Sequence, residues 1–373
     1  MINLYKQFIF LRKNFSILAI FTLIAFSACD SSDSGSSQGN SPGNPFEVYD
    51  VVTLQKVGKA SGEGWTLSAH YKLTANITVS GTWVPIGSYS SPFTGSFDGN
   101  GKTISGIYTP NSIGSSSSSR GFFGFIDTGG KVKNLGLLNV NIRGHEYIGG
   151  VVGYNRNGTI ENCYTAGVVG GTAYIGGVVG ANDEGTVQNC YSTSAISVSN
   201  TINNSNYCNG GVVGANWGTV QNCYATGSIT GVEDVGGVVG YNEEGTVQNC
   251  YATGDITGVD HVGGVVGYNV SSTVQRCVAL NTTITGSGTG FGRVVGFATT
   301  GLLLTNYANQ DMNILGGGSF TNPSNILVLL SATQSPDWWA TSPGVWSGVW
   351  GMTDTAPWQW NSTEARPKLY FEP

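Results

Sequence analysis

The sequence contains a unit that recurs five times in tandem between residues 149 and 284. Each copy begins with Gly-Gly-Val-Val-Gly, passes through a short turn and continues with a version of TVQNCYATG, which occurs unchanged at residues 219–227 and 246–254. The Gly-Gly pairs are 27, 34, 26 and 27 residues apart, and periods of this size are typical of solenoids. The copies are Gly149–Val169, Gly176–Ile196, Gly210–Ile229, Gly236–Ile256 and Gly263–Ile284.

Each unit holds about three short β-branched runs separated by Gly and Asn turns, and none has helical periodicity. Strands this short pair with the same strand of the next unit, which builds parallel sheets along a solenoid. Weaker versions of the unit begin at Phe93, Gly121 and Gly292. We therefore predict an all-β fold, a parallel and right-handed β-helix of about six to eight coils.

The composition supports a folded β protein and argues against a nucleic-acid partner. Gly accounts for 57 of 373 residues, 40% of residues are hydrophobic and 10% are charged, so the chain can bury apolar surface and is not disordered. The formal net charge is −6, and 16 Lys and Arg residues are spread thinly along the chain. A nucleic-acid surface needs clustered cations that displace the counterions of phosphate. We predict no nucleic-acid partner.

The first residues are typical of an export signal. Basic residues up to Lys13 precede an uncharged run that is too short for a mature transmembrane helix and ends in small residues. Its end, with Ser27 and Ala28 before Cys29, resembles the bacterial lipoprotein box, although Phe26 stands where that box usually has Leu. The resemblance implies cleavage before Cys29, lipid attachment to it, and a location on the outer membrane or cell surface. The alternative is a soluble secreted protein with an incidental cysteine.

The repeat cores resemble the GLUG motif of bacterial surface proteins. Val replaces the motif's usual Leu in all five cores, and Trp83–Ile107 and Ala365–Phe371 are similar to the leader and tail that bracket such arrays. The resemblance covers about residues 71–373. It implies a β-helical surface protein, from a family that is found in adhesins and beside some metallopeptidase domains and has no catalytic residues of its own. The cores are Gly150–Gly153, Gly177–Gly180, Gly211–Gly214, Gly237–Gly240 and Gly264–Gly267.

These patterns divide the chain into five segments. We predict a signal peptide at 1–28, a flexible Ser/Gly linker at 29–45, leader strands and a first coil at 46–107, the repeat β-helix at 108–310 and a Trp-rich cap at 311–373.

A cysteine recurs at one position of the repeat. If Val247 and Ile256 both face inward, strand alternation must break between them, and a break at Asn249 turns Cys250 inward and Tyr251 outward. An early unit has Leu at the Cys position, which favours a core column of buried thiols. The column is Leu135, Cys163, Cys190, Cys223, Cys250 and Cys277, and the corner ladder is Asn162, Asn189, Asn222 and Asn249.

Two other interpretations of the cysteines stay open. Stacked neighbours have parallel Cβ vectors, which strains a disulfide, but Cys208 of the longer third coil could pair with one member of the column. Zinc needs four convergent ligands, and a straight column of single thiols does not offer them. We predict neither a metal nor a cofactor.

Candidates for catalysis are few. The chain has three His, and His145 lacks the second His of a zinc-peptidase motif. Where GVEDVGG aligns with GVDHVGG, Glu233 would lie beside Asp260 and Asp234 beside His261. Such a cluster could supply paired carboxylates for glycoside chemistry or ligands for a cation. A solvated turn is the simpler interpretation, so these four residues are candidates only for the enzymatic alternative.

Two departures from the repeat suit recognition. The third coil is longer, over residues 195–211, and insertions in solenoids often form the binding face. Six Trp lie between residues 338 and 360, and their rings would either stack on sugars or cap the last rung. The ligand-binding candidates are Tyr207, Trp217, Trp338, Trp339, Trp346 and Trp350.

The sequence thus predicts a lipid-anchored envelope protein that displays a β-helix and binds an extracellular glycan or protein without catalysis. The enzymatic alternative is a polysaccharide lyase or hydrolase that uses the acidic turn of Glu233 and Asp260. A third possibility is a structural spacer, which would have no ligand.

Overall fold

A computed structural model of the protein describes residues 38–110, 119–198, 207–316, 319–320, 325–328, 333–341 and 357–372. All of these belong to one compact unit, Ser37–Pro373. Cys29, the predicted signal peptide, residues 199–206 of the long coil, Trp346 and Trp350 lie outside the described residues.

The described chain winds as a solenoid whose coils stack strand on strand in four parallel sheets. Sheet A contains the TVQ segments and sheet B contains the segments that follow the Gly-Gly pair. The strands of sheet A are Phe46–Val48, His70–Leu73, Ser96–Asp98, Lys131–Lys133, Thr159–Glu161, Thr186–Gln188, Thr219–Gln221, Thr246–Gln248, Ser272–Gln275 and Gly301–Leu304. Those of sheet B are Phe123–Ile126, Val152–Arg156, Val179–Asp183, Val213–Asn216, Val239–Glu243, Val266–Val270 and Val295–Ala298.

Sheet C precedes sheet B in each coil, and sheet D follows sheet A. The strands of sheet C are Glu146–Gly149, Ala173–Gly176, Asn209–Gly210, Val235–Gly236, Val262–Gly263, Thr289–Gly292 and Ser319–Phe320. Those of sheet D are Ile77–Thr78, Thr103–Ser105, Tyr108–Thr109, Gly136–Arg143, Tyr164–Gly171, Tyr191–Ser192, Ala195–Val198, Tyr224–Ala225, Ile229–Thr230, Tyr251–Ala252, Ile256–Thr257, Val278–Ala279, Thr283–Thr285, Asn306–Asn309, Asn313–Leu315 and Asn325–Val328.

Three short helices and one hairpin complete the described elements. The helices are Val51–Lys56, the 3-10 turn Ser61–Glu63 and Pro336–Thr341, and the antiparallel hairpin pairs Trp358–Asn361 with Arg366–Leu369. Asp50 caps the first helix by accepting a hydrogen bond from the Thr53 amide at 2.8 Å, which satisfies an amide that has no partner inside the helix.

The fold class is confirmed, and the number of coils is larger than predicted. Sheet A has ten strands in chain order, so the chain makes about nine turns rather than six to eight. The extra turns come from the segment predicted as a leader, because Phe46–Val48 pairs with His70–Leu73 in the same register as the later rungs. These first coils fill their core with Tyr71, Phe93 and Phe97 instead of Val and Cys, so they lack the repeat signature.

The cysteine column lies in the core. Backbone bonds from the Tyr164 amide to the Leu135 carbonyl, and from the Tyr191 amide to the Cys163 carbonyl, place each Cys position over the preceding one. Every member of the column is 0% exposed, and the six cysteines in the described part of the chain are free thiols. Burial raises the pKa of the Cys163 and Cys190 thiols, so they stay protonated and fill the core as small apolar groups.

The Asn before each Cys forms the corner of the coil. Asn162, Asn189, Asn222 and Asn249 have φ between 52° and 54°, a left-handed conformation that Asn tolerates better than most residues. Each amide nitrogen donates to the side-chain oxygen of the preceding rung at 3.0–3.1 Å, and Asn134 ends the series by donating to Asp98 Oδ1 at 3.0 Å.

A second amide ladder, which the sequence did not predict, runs inside sheet B. Its members are 0% exposed and donate to the following rung at 2.8 Å, opposite in direction to the corner ladder. Each buried amide nitrogen therefore has an acceptor, as buried polar groups require, whereas the Oδ1 of Asn155 at the start of the ladder has no hydrogen-bond donor. The members are Asn155, Asn182, Asn216, Asn242 and Asn269.

The Gly-Gly pair permits coils to lie in close contact. A Cβ on Gly237 would lie 2.0 Å from the Gly264 carbonyl oxygen of the next rung. Any side chain there would push adjacent coils apart, which explains why the pair recurs in each unit.

The described residues of the C-terminal segment, 333–341 and 357–372, lie along the side of the solenoid. Tyr164, Tyr191, Tyr224 and Tyr251 point outward from sheet D and stack with centroids 4.7–4.9 Å apart and planes within 4°. Trp339, Trp358 and Leu369 cover this tyrosine ladder and are at most 1% exposed. The described part of the predicted cap thus seals a flank of sheet D, because the outward Tyr rings leave apolar surface there.

Candidate functional site

A continuous row of aromatic side chains crosses the outer surface of sheets B and C. We call it the aromatic face; it consists of Tyr147, Tyr154, Tyr174, Trp217, Tyr241, His261, Tyr268 and Phe297. All of these rings except that of Tyr174 are partly exposed. In each repeat the strands of sheets C and B precede those of sheets A and D. The aromatic face and the tyrosine ladder therefore lie on different sheets of the coil.

Neighbouring rings of the aromatic face are in contact. Tyr147 stacks on Tyr174 with centroids 4.8 Å apart, and Tyr174 approaches Trp217 at 6.5 Å. Trp217 contacts Tyr241 at 6.1 Å, edge to face. His261 then packs against Tyr268 at 4.7 Å. These distances are within the range for aromatic pairs, so the rings form one surface.

Local backbone geometry explains why these rings point outward. Tyr147 and Tyr174, each the second residue of its sheet C strand, have φ of 55° and 53°, and this left-handed conformation turns the following Ile inward. In sheet B, Ala181 and Ala215 occupy the column of Tyr154 and Tyr241. Ala215 packs in one cluster with Tyr174 and Trp217, so its small side chain leaves room for these two rings.

Carboxylates line the aromatic face on the side of sheet A. The Tyr154 hydroxyl donates to Asp183 Oδ2 at 3.0 Å, and Trp217 Nε1 donates to Glu243 Oε2 at 2.9 Å. Each bond fixes the orientation of an outward ring. The carboxylates keep acceptor sites for the hydroxyl groups of a ligand, because an ionised carboxylate has about four acceptor positions.

The predicted pair of Asp234 and His261 is present at the corner before sheet C. His261 Nδ1 lies 2.8 Å from Asp234 Oδ1, and the Cys208 thiol donates to Asp234 Oδ2 at 3.8 Å. The hydrogen bond with Asp234 raises the pKa of His261, and burial raises the pKa of Asp234. Cys208 faces the carboxylate rather than the imidazole, so these three residues do not have the order of a Cys-His nucleophile pair.

In the other predicted pair, Glu233 and Asp260, the Asp260 carboxylate is bonded to the next coil. The register of sheet C places Glu233 beside Asp260. Asp260 Oδ1 accepts hydrogen bonds from the Thr289 amide at 2.5 Å and from the Thr289 hydroxyl at 3.0 Å. Asp260 therefore holds the next coil, as Asp side chains commonly do in turns. Burial raises the pKa of Glu233.

The remaining predicted residues have different environments. Trp217 belongs to the aromatic face, whereas Tyr207 is 5% exposed. Trp339 is 0% exposed and Trp338 packs against Tyr307 at 5.2 Å, so protein covers the Trp339 ring face that a sugar would need. Sequence reasoning missed Tyr147, Tyr154, Tyr174, Tyr241, Tyr268 and Phe297. For Tyr154, Tyr241, Tyr268 and Phe297 the signal was the aromatic residue of GYN or of the same repeat position, and for Tyr147 and Tyr174 it was the Tyr of YIGG.

A family model for the GLUG motif matches residues 144–170, 205–230 and 231–257. The chain therefore contains GLUG repeats at these three places. The described residues of each matched GLUG repeat run through sheets C, B, A and D. Tyr147, Tyr154, Trp217 and Tyr241 lie inside the matched GLUG repeats, so the aromatic face is built on them.

Two curated relatives share part of the GLUG-repeat region. Halomucin from Haloquadratum walsbyi is 33% identical over 143 residues, which is 35% of this chain and 2% of halomucin. A candidate Gly-rich membrane protein from Evansella cellulosilytica is 32% identical over 124 residues, which is 32% of this chain and 14% of that protein. The chain thus spans a small part of the length of both relatives.

A solved structure shares the fold of this GLUG-repeat chain. The crystal structure of a candidate immunoglobulin A1 protease from Bacteroides ovatus has a TM-score of 0.58 and 21% sequence identity. The similarity covers 90% of this chain and 95% of the other. At this identity the similarity shows the fold alone.

The described ranges contain neither a membrane-spanning helix nor a cluster of metal ligands. No helix there has both the length and the apolar character for crossing a membrane. The same residues contain no group of three or more His, Cys, Asp or Glu side chains that could hold a metal ion.

Proposed function

We propose that this chain displays its GLUG solenoid at the cell envelope and binds a carbohydrate through the aromatic face, without catalysis. The envelope location is supported by the relatives, one of which is described as a membrane protein, and by the export signal that the sequence predicts before Cys29. Lipid attachment at Cys29 would tether the solenoid, and labelling of the chain with palmitate tests it.

The observation that carries the proposal is the continuity of the aromatic face. It crosses six rungs of sheet B, from Tyr154 to Phe297, and rungs about 4.8 Å apart give a row roughly 25 Å long. Partly exposed rings can stack on the apolar faces of sugars. Asp183 and Glu243, which orient Tyr154 and Trp217, can also accept hydrogen bonds from sugar hydroxyl groups. An extended polysaccharide segment has both chemistries along its length.

A glycan array tests this proposal directly. We expect the full chain to bind a subset of polysaccharides, and the double variant Trp217→Ala, Tyr241→Ala to bind at least tenfold more weakly, because two adjacent rings are removed from the row. The matched control is Tyr49→Ala, an exposed Tyr outside the aromatic face. Equal binding by the double variant, or an equal loss in the control, would contradict the proposal.

The same samples test the enzymatic alternative. Incubation of the bound polysaccharide with the wild type should release no shorter product, and Asp260→Asn should leave binding unchanged, because Asp260 is bonded to Thr289. Depolymerisation that disappears in the Asp260→Asn variant would overturn the binding-only proposal and establish the acidic turn as catalytic.

A further inference from the structure

A polar cleft lies on sheet A, where the end of the C-terminal segment meets the coils. Its volume is about 240 Å³, below the ~300–1,000 Å³ of drug-sized sites. Six polar side chains line it, from Lys131, Lys133, Asn134, Glu161, Asn162 and Tyr370. The cleft is separate from the aromatic face, which occupies sheets B and C.

The cleft coincides with a break in the outward columns of sheet A. The column of Lys131 carries Thr in each of the next five rungs. The column of Lys133 carries Glu161 in the next rung and Gln from Gln188 onward. The later Gln residues continue as a ladder bonded at 2.7–2.9 Å. Two cations at one rung are unusual in a chain with 10% charged residues, and the solenoid does not need them, because Thr and Gln suffice elsewhere.

The ammonium groups form the exposed part of the cleft. Lys131 Nζ pairs with Glu161 at 2.7 Å, and the two side chains are 42% and 9% exposed. Lys133 Nζ pairs with Asp98 at 3.3 Å, with side chains 38% and 25% exposed. Each ammonium carries three donors, and each Lys side chain is more exposed than the carboxylate with which it pairs. Both ammonium groups therefore keep N–H groups that a ligand can reach from solvent.

Uncharged hydrogen-bonding groups complete the cleft. Asn134 and Asn162 are neighbours in the corner ladder, and the Tyr370 hydroxyl lies 3.5 Å from Asn162 Nδ2. Tyr370 belongs to the C-terminal segment, whereas the other five residues belong to the coils. A ligand in the cleft would touch both parts and hold them together.

We propose that this cleft binds the carboxylate of an acidic saccharide, such as a uronic acid. The carboxylate lies against Lys131 and Lys133, and the sugar hydroxyl groups bond to the Asn amides and to Tyr370. The small volume suits one sugar residue, and the purely polar lining disfavours an apolar ligand.

Titration calorimetry of the full chain with trigalacturonate tests the assignment, with neutral maltotriose and inorganic phosphate as comparison ligands. The double variant Lys131→Thr, Lys133→Gln installs the residues that later rungs carry in these columns. It should bind trigalacturonate at least tenfold more weakly, since charge-assisted hydrogen bonds are lost. Wild type should also melt at a higher temperature with trigalacturonate than without it.

Two controls show whether a loss of binding comes from the cleft itself, from a general loss of positive charge or from misfolding. Lys72→Gln removes a cation from the same column of sheet A outside the cleft and should leave affinity within about twofold. The double variant leaves the buried Glu161 carboxylate without its Lys131 partner, which could destabilise the fold. Adding Glu161→Gln removes that unpaired charge, and the triple variant should still fail to bind trigalacturonate. No binding by the wild type, an equal loss in Lys72→Gln, or equal affinity for maltotriose or phosphate would overturn the proposal, whatever the glycan array shows.

Discussion

Single amide side chains determine how the coils stack. Asn residues form two ladders that donate in opposite directions, one buried in sheet B and one at the corner before the cysteines. The corner ladder ends on Asp98, whose carboxylate can only accept hydrogen bonds. That end fixes the direction of the whole series, because each amide must then donate toward the N-terminal side.

Removal of one buried amide should destabilise the fold strongly. Asn242→Ala would leave the Asn216 donor and the Asn269 acceptor without their 2.8 Å partners in the core. We expect the free energy of unfolding to fall by about 2–4 kcal/mol, since each unpaired buried group costs about 1–3 kcal/mol. Urea denaturation measures the change.

The control for this variant is Gln248→Ala, which interrupts the Gln ladder on the outer surface of sheet A. Water reaches the partners that it leaves behind, so we expect a loss below about 1 kcal/mol. Similar losses for the two variants would show that the buried position of the sheet B ladder has no special energetic role.

Of the two Asn ladders, one was predictable from the sequence and the other was not. The corner ladder was predictable because Val247 and Ile256 cannot both face inward without a break between them. The sheet B ladder was not, because Val152 and Asn155 both face inward although strict alternation would place them on opposite faces. A second break occurs in each coil near Gly153, and Gly allows backbone contacts that leave no side-chain signal.

Among the larger elements, the C-terminal segment depends on contacts that lie far apart in the sequence. The Tyr251 hydroxyl donates to the Pro367 carbonyl at 2.7 Å, across 116 positions, and Arg366 lies over the Tyr224 ring at 5.6 Å. The outward Tyr and the cluster of Trp were both evident in the sequence. Their meeting was not, because periodicity within a repeat carries no information about a segment outside the array.

Trp358 should anchor this segment to the tyrosine ladder. Its ring is 1% exposed and lies 5.8–6.2 Å from the rings of Tyr251 and Tyr224. Trp358→Ala should cost about 3–5 kcal/mol of packing between segment and coils. We expect faster cleavage of the C-terminal segment in limited proteolysis, while the resistant fragment keeps its β-sheet circular dichroism.

Trp360→Ala is the matched control, since Trp360 lies on the same strand but is only partly buried. It should change the cleavage rate less than Trp358→Ala does. If Trp358→Ala melted the coils together with the segment, the two would be one cooperative unit and the anchoring role would be wrong.

For the solenoid as a whole, register is the property on which folding depends. Val235 and Gly236 pair with Val262 and Gly263, so deletion of residues 236–262 joins Val235 to Gly263 and removes one complete coil. We expect a folded protein with one fewer rung, because every remaining strand keeps its neighbour and its inward face. Circular dichroism and a cooperative thermal transition would show it.

Deletion of residues 236–263 provides the comparison. It removes one further residue, so one Gly of the Gly-Gly pair is lost and the following side chains shift relative to the coil below. We expect this variant to lose the cooperative transition. If both deletions folded equally well, register across the Gly-Gly pair would be unimportant for the solenoid.

The prediction of the architecture succeeded because stacking repeats a local pattern, and it failed where the pattern changes. The coils after Phe46 escaped detection because aromatic residues fill their core. The aromatic face escaped detection because its rings come from two sheets, with Tyr147 and Tyr174 in sheet C and Tyr241 in sheet B. The sequence alone does not show that these two sheets present their rings side by side.

The amide ladders also bear on how such a gene can evolve. An Asn inside a ladder donates one hydrogen bond to a neighbouring Asn and accepts one from the other neighbour. Inserting another identical coil therefore gives every Asn a partner again and leaves both ends of the ladder unchanged. Unequal recombination between the two identical TVQNCYATG segments would then change coil number while the reading frame and the fold survive. Coil number is thereby a heritable variable, and natural populations should contain alleles that differ by whole units of 27 residues.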